Sequence, residues 1–301
     1  MERLSVYVYG FMTLCSALGF IHPGLRGPTG KPIRQAINSW WPPALVLGAT
    51  VICRSWLGIS IFAALSLWTL CEFLRMQPPD ARNGFIELLA YLTVPLHHGF
   101  FLVGSTWFAA ADVLWIFVVL PLAWIFAAGP EGTLAQLPRI QWGIMLTVVA
   151  LSHVARLLML DPTISPAGGA GLAALLITSV MFNDAAQYVF GKLFGRHLLA
   201  PTISPGKTWE GLAGGLITTI VIGATVSTLV TPFTAAEGAL IGAILSIAGV
   251  LGDLLVSGIK RDAGVKDTGR VLPQHGGVLD RCDSLLLAAP LFFYGIQPWL
   301  R

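Results

Sequence analysis

Hydrophobic positions in this chain come in long blocks separated by short polar segments. Ten apolar stretches can be drawn, at about 4–20, 41–53, 57–74, 84–104, 107–128, 141–160, 168–190, 211–231, 236–257 and 283–299. Most approach the roughly 20 residues that a helix needs to cross the hydrocarbon core of a bilayer. The second is short and abuts Arg54, so it reads either as a re-entrant segment or as one unit with the third. The pattern predicts an all-α, polytopic integral membrane protein with nine or ten transmembrane helices. Gly and Pro inside the stretches agree with this, since small residues permit close helix packing and neighbouring helices satisfy an interrupted backbone.

Composition points the same way. The 301 residues are 55% hydrophobic and 11% charged, with a mean hydropathy of +0.76, whereas a soluble domain carries about a quarter charged residues. An ordinary soluble enzyme is thereby excluded. Cys15, Cys53, Cys71 and Cys282 form no CxxC pair and no metal-finger spacing, so neither a disulfide framework nor a zinc site is implied. The opening "MERLSVYVYGFMTLCSALGF" has too thin a basic region for a signal peptide and reads as a first span.

The basic residues orient the chain. If 191–210 faces the cytoplasm, ten spans also put 21–40, 75–83, 129–140 and 258–282 on that side. These loops hold fourteen of the 18 Lys and Arg residues, leaving Arg3, Arg54, Arg156 and Arg301 on or near the other. That asymmetry is the one expected of cytoplasmic loops. The chain divides into N-terminal transmembrane helices over 1–165, read as a scaffold, and a C-terminal region over 166–301. The latter carries both long polar segments, 191–210 and 258–282.

The scarce charges gather in those segments. The first, "FNDAAQYVFGKLFGRHLLAPTISPGKTWEG" at 182–211, places Asp184 toward the cytoplasmic end of its span. An ionisable group there is either functional or a solvated helix-end carboxylate. "SPGKTWEG" ends like a phosphate-binding loop at Gly206, Lys207 and Thr208, but Pro201 stands where such a loop needs glycine. It is not a P-loop. A Ser-Pro-Gly turn beside a lysine and ahead of a helix still suits an anion, and an ordinary basic loop is the competing reading.

The second segment, "GVLGDLLVSGIKRDAGVKDTGRVLPQHGGVLDRCDS" at 249–284, begins inside a span. Asp253, Ser257 and Lys260 fall on nearly one helix face. A helix starting near Gly277 would present Asp280 and Asp283 on one side. Oxygen ligands without a cysteine or histidine cage favour a hard cation such as Mg²⁺. A salt-bridged loop is the plainer alternative, weakened by the apolar setting of Asp253 and by the Gly276-Gly277 pair, which permits close approach to a ligand.

The run "SGIKRDAGVKDTGRVLPQHGGVLDRCD" at 257–283 resembles the signature of phosphatidate cytidylyltransferases, also called CDP-diacylglycerol synthases. "FGKLFGRHLLAPTISPGKTWEG" and "LGDLL" resemble the same family in order and spacing, so the likeness covers about 182–284. The departures are Cys282 for an aliphatic residue or Thr, "NDAAQY" for the commoner Asp-Ser/Thr-Gly-Ala-Tyr, and Gln274 where Gly is frequent. They bear on the lipid substrate, and a paralogue acting on a different phospholipid or phospho-alcohol is the alternative.

The resemblance implies transfer of the cytidylyl group of CTP to phosphatidate, releasing pyrophosphate. A phosphate monoester is largely a dianion at neutral pH, its second pKa being about 6, so it can attack without a general base. By analogy with the family, Asp253 and Asp280 form the metal pair, with Asp283 and Asp267 as weaker ligands. The cation is Mg²⁺, with a second one as an option. Lys260, Arg261, Lys266 and Arg281 would hold phosphates, and Ser204, Lys207 and Thr208 would meet the triphosphate. Asp184, Gly276 and Gly277 complete the binding surface, and His275 would orient a carboxylate or phosphate. The implied partners are CTP, phosphatidate or a related phospholipid, the bilayer and, as one option, a second copy of the chain; no nucleic acid is expected. The implied location is a bacterial cytoplasmic membrane with the active site on its cytoplasmic face. A secondary transporter would instead place charges near the midplane in two related halves. A CDP-alcohol phosphotransferase would need D-G-x-x-A-R, which does not occur here.

Overall fold

The computed structural model describes residues 55–78, 82–103, 108–160, 162–164, 167–269 and 276–300. The apolar stretches at 4–20 and 41–53, and His275, lie outside the described residues.

Each remaining apolar stretch forms a helix. In chain order these are α1 (Ser55–Arg75) and α2 (Gly84–Leu102). Next, α3 (Phe108–Leu114) continues through a π-helical turn, Trp115–Val119, into α4 (Leu120–Ala128). Likewise α5 (Leu137–Ile144) runs through Met145–Ala150, again π-helical, into α6 (Leu151–Leu158). Then come α7 (Gly168–Phe194), α8 (Trp209–Val230), α9 (Ala235–Asp262) and α10 (Leu279–Gly295). Among the described residues, six helical stretches are long and apolar enough to cross a membrane. The protein is thus an all-α membrane protein, with one local departure among the described residues. Leu198–Ala200 (β1) and Ser204–Thr208 (β2) form an antiparallel hairpin inside the polar segment 191–210.

The helices expose their apolar faces. Ile217, Val221, Leu240, Ile244 and Leu251 are about half exposed or more on α8 and α9, as expected of surfaces solvated by lipid tails rather than water. Inside, α8 and α9 approach so closely that a Cβ on Gly223 would strike the Gly238 carbonyl, and one on Gly242 the Thr219 carbonyl. Such small-residue contact replaces the hydrophobic drive that water would supply. Asn183, fully buried on α7, joins the three helices. Its Oδ1 accepts from Ser246 Oγ at 2.7 Å and from Thr219 Oγ1 at 3.3 Å, and its Nδ2 donates to the Ser246 carbonyl at 3.3 Å.

Two apolar clusters form the core. One collects Leu70, Ile86, Trp124 and Ile140 from α1, α2, α4 and α5. The other collects Phe62, Leu157, Leu172, Leu245 and Leu286 from α1, α6, α7, α9 and α10. Only α1 and the α5–α6 stretch contribute to both, so α1 stands between the two halves of the described chain. The first half also buries a polar cluster. His97 Nδ1 lies 2.8 Å from Asp112 Oδ2, and its Nε2 lies 2.7 Å from Ser152 Oγ, which donates to the Val149 carbonyl at 2.7 Å. The π turns adjoin this cluster, one following Asp112 and the other preceding Ser152.

Candidate active site

The hairpin is closed by its own backbone and by one carboxylate. Trp209 N–H donates to the His197 carbonyl at 3.0 Å, and Glu210 Oε2 accepts from the N–H groups of Arg196 and His197 at 3.1 and 3.3 Å. Leu198 pairs with Thr208 and Ala200 with Ser204. Thr208 then caps α8, its Oγ1 accepting the Gly211 N–H at 3.0 Å, which satisfies one of the amides that open every helix. This fold turns Lys207 inward. Its Nζ lies 2.7 Å from Asp253 Oδ2 and donates to Gln187 Oε1 at 2.9 Å. Burial works against the ammonium, but the charges of Asp253, Asp184 and Asp283 outweigh it and hold the Lys207 pKa above its ordinary value.

The C-terminal turns of α9 carry the next groups. Ser257 Oγ donates to Asp253 Oδ1 at 3.1 Å, fixing that carboxylate toward Lys207. One turn further on, Lys260 Nζ donates to Asp280 Oδ1 at 2.7 Å. The other oxygen of Asp280 accepts from Thr268 N at 2.9 Å, Thr268 Oγ1 at 3.0 Å and Gly277 N at 2.8 Å. Both pairs are largely buried, where a carboxylate or ammonium deprived of its partner would be costly.

The two glycines have distinct duties. Gly276 has φ +77°, a conformation that favours glycine, and a Cβ there would come within 2.5 Å of Asp280 Oδ2. Gly277 has no space for a Cβ because Glu72 and Thr268 fill it. Deeper still, Ser284 Oγ donates to Asp184 Oδ1 at 3.2 Å, and the buried Asp283 accepts the Ser284 N–H through Oδ1 at 2.8 Å.

These groups surround a cavity of about 740 Å³. Asp253, Lys260, Lys266, Asp267, Asp280 and Arg281 line it, as do Asp184, Ser204, Lys207, Thr208, Gly276 and Asp283. Two expected residues stand elsewhere. Arg261 ties α9 to the hairpin by donating to the Ile203 carbonyl at 3.2 Å, and Gly277 faces Glu72. The carboxylates are oxygen donors suited to a hard cation. Among the described residues, no three His, Cys, Asp or Glu side chains stand together as a ready-made cage. A cation there would share Asp253 and Asp280 with the two lysines.

A model of the cytidylyltransferase family matches residues 34–298. The chain belongs to the cytidylyltransferase family. Two relatives align with it over most of their length. The uncharacterized protein YnbB of Escherichia coli (strain K12) is 38% identical over 272 residues, 89% of this chain and 88% of YnbB. The phosphatidate cytidylyltransferase of Haemophilus influenzae is 31% identical over 274 residues, 83% of this chain and 95% of its own. The phosphatidate cytidylyltransferase of Staphylococcus saprophyticus is 49% identical over 114 residues, 37% of this chain and 44% of its own.

Sequence reasoning missed two residues of this cytidylyltransferase. Gln187 lines the cavity and holds Lys207; it stands within the departure "NDAAQY". Glu72 on α1 is 3% exposed and accepts from Val278 N at 3.0 Å, Leu279 N at 2.8 Å and Thr268 Oγ1 at 3.1 Å. The available signal was a lone carboxylate in an apolar run, but with Arg75 three residues on it reads as an interfacial charge.

Proposed function

We propose that this cytidylyltransferase transfers the cytidylyl group of CTP to phosphatidate, forming CDP-diacylglycerol and pyrophosphate. The observation that carries this reading is the cavity where Lys207–Asp253 and Lys260–Asp280 face one another, built from the segments that resemble the phosphatidate cytidylyltransferase signature. In the reaction an oxygen of the lipid phosphate bonds to the α-phosphorus of CTP. The bond from that phosphorus to the bridging oxygen breaks, and its electrons leave with pyrophosphate. No proton need be removed from a dianionic phosphate. The obstacle is repulsion between two polyanions, so positioning and fixed positive charge are what the protein supplies.

Lys207 and Lys260 provide that charge from the cavity wall, with Lys266 and Arg281 at its exposed edge. Ser204 and Thr208 lie on the hairpin beside Lys207, where the triphosphate would run. Asp253, Asp280 and Asp283 would hold Mg²⁺, which when bound neutralises phosphate oxygens and stabilises the leaving pyrophosphate. The cavity opens at the cytoplasmic face of a bacterial membrane crossed nine or ten times. The positive charge concentrated in 191–210 and 258–282 supports that orientation.

A second reading, a cytidylyltransferase for a different phosphorylated lipid, rests on Gln187. This residue replaces the family's more common small residue and touches Lys207 directly. Incubating the purified protein with radiolabelled CTP and phosphatidic acid, beside other phosphorylated lipids, tests both readings. Labelled lipid from phosphatidic acid supports the first; label only in another lipid supports the second. No labelled lipid from any acceptor defeats both.

A further inference from the structure

The first turn of α10 lacks a cap of its own. Its preceding residue is Val278, whose side chain accepts no hydrogen bond, and Asp280 turns back to Gly277 and Thr268. The cap comes instead from α1. Glu72 places Oε1 on the Val278 N–H and Oε2 on the Leu279 N–H, one carboxylate spanning two successive amides 206 and 207 residues away. A negative group at this position is favoured twice, by the free N–H groups and by the positive end of the helix dipole. The Thr268 hydroxyl stands 3.1 Å from Glu72 Oε2 and 3.0 Å from Asp280 Oδ2, with one proton to give. Gly269 and Gly277 leave the space that Glu72 occupies; a Cβ on Gly269 would come within 2.7 Å of Glu72 Oε1.

We infer that Glu72 is a positioning residue for the cytidylyl transfer: by capping α10 and holding Thr268, it fixes the direction in which Asp280 meets Lys260 across the cavity. This rests on the proposed function. It makes the N-terminal half part of the reaction machinery rather than only its scaffold. Both routes from Glu72 end on the same carboxylate. One runs through the backbone of Val278 and Leu279, which precede Asp280 directly; the other runs through Thr268, whose N–H donates to Asp280 and whose single hydroxyl proton lies between Asp280 and Glu72. Removal of Glu72 would leave two helix-opening amides without their acceptor and free the Asp280 carboxylate to turn.

The test compares wild type with Glu72→Gln, Glu72→Asp and Glu72→Ala in detergent, each normalised to folded protein by its thermal melt. Glutamine keeps the shape and one acceptor oxygen but sets an NH₂ against an amide donor. For Glu72→Gln the expectation is a fall in kcat of about 10–100-fold, the usual loss for partners that orient a site's ligands. The KM for CTP should stay within about twofold, since transition-state rather than ground-state interactions are lost. Hydrogen exchange followed by mass spectrometry on the peptide holding Val278 and Leu279 should quicken in the same variant. Unchanged kcat per folded molecule in all three variants, or unchanged exchange in that peptide, would overturn the inference. A wild type that forms no cytidylylated lipid would instead defeat the proposed function, and the exchange measurement would still decide whether Glu72 sets the first turn of α10.

Discussion

Both halves of the described chain bury ionisable groups, but they end differently. In the first half, His97 sits between Asp112 and Ser152, and Ser152 passes its own proton to a carbonyl. These contacts join side chains that are buried or nearly so, and Ser152 is fully buried. In the second half, Asp253 and Asp280 each meet a lysine, and those pairs line a cavity of about 740 Å³. A closed polar network fastens helices, since in lipid an unsatisfied group is costly. A network with one side open holds charge ready for something that enters. The difference teaches that a buried carboxylate points to chemistry only with the geometry around it.

Four measurements would break or sharpen that contrast. The largest effect is expected from Asp280→Ala, which should lower turnover per folded molecule by about 10²–10³-fold or more, because it removes a proposed Mg²⁺ ligand and the partner that holds Lys260 in the cavity wall. Wild-type turnover in that variant would remove Asp280 from the site. Chelation of divalent cations should stop cytidylyl transfer, and added Mg²⁺ should restore it; full rate in chelator would show that the lysines suffice. His97→Ala should act in the opposite manner, costing about 1–3 kcal/mol because Asp112 and Ser152 lose a buried partner. It should leave kcat and KM per folded molecule as they were. A changed KM would show that the first-half cluster is not closed after all.

The smallest effect concerns pH. The rate should rise as pH passes about 6, where the attacking phosphate gains its second charge, and then level off across the neutral range. Lys207 contributes no step there. Its pKa is held above the ordinary lysine value by the neighbouring carboxylates, so the stability from its pairing with Asp253 is present through neutrality and is lost only as pH climbs through the higher folded value. A sharp fall in rate through neutrality, read from a pH–rate profile, would contradict this.

The sequence disclosed different parts of this arrangement for different physical reasons. Helices were legible because a bilayer demands long apolar runs, and α7, α8 and α9 begin within two residues of the stretches drawn for them. The last apolar stretch was drawn from 283, but the helix expected to start near Gly277 begins at Leu279; what the local pattern did not record is that the carboxylate capping it comes from a distant helix. The hairpin was read as a loop because Ser-Pro-Gly signals a turn, while its closure depends on Glu210 beyond it. Which lysine meets which aspartate was not legible either. Spacing put Lys260 near Asp253 on one helix, yet Lys260 pairs with Asp280 and Asp253 with Lys207. Such pairings are decided between elements, where no local pattern records them.

The reach from Glu72 to Val278 also governs how the molecule can be made. A ribosome has threaded α1 into the bilayer some 206 residues before the amides that Glu72 must receive exist. Contacts so far apart in the chain form late, because the intervening loop must first be closed. Until then α1 carries an unsatisfied acid within an apolar helix. A nascent chain stalled before its final span would therefore hold the cavity-lining lysines but no ordered Asp280, and would be born silent until the last helix docks.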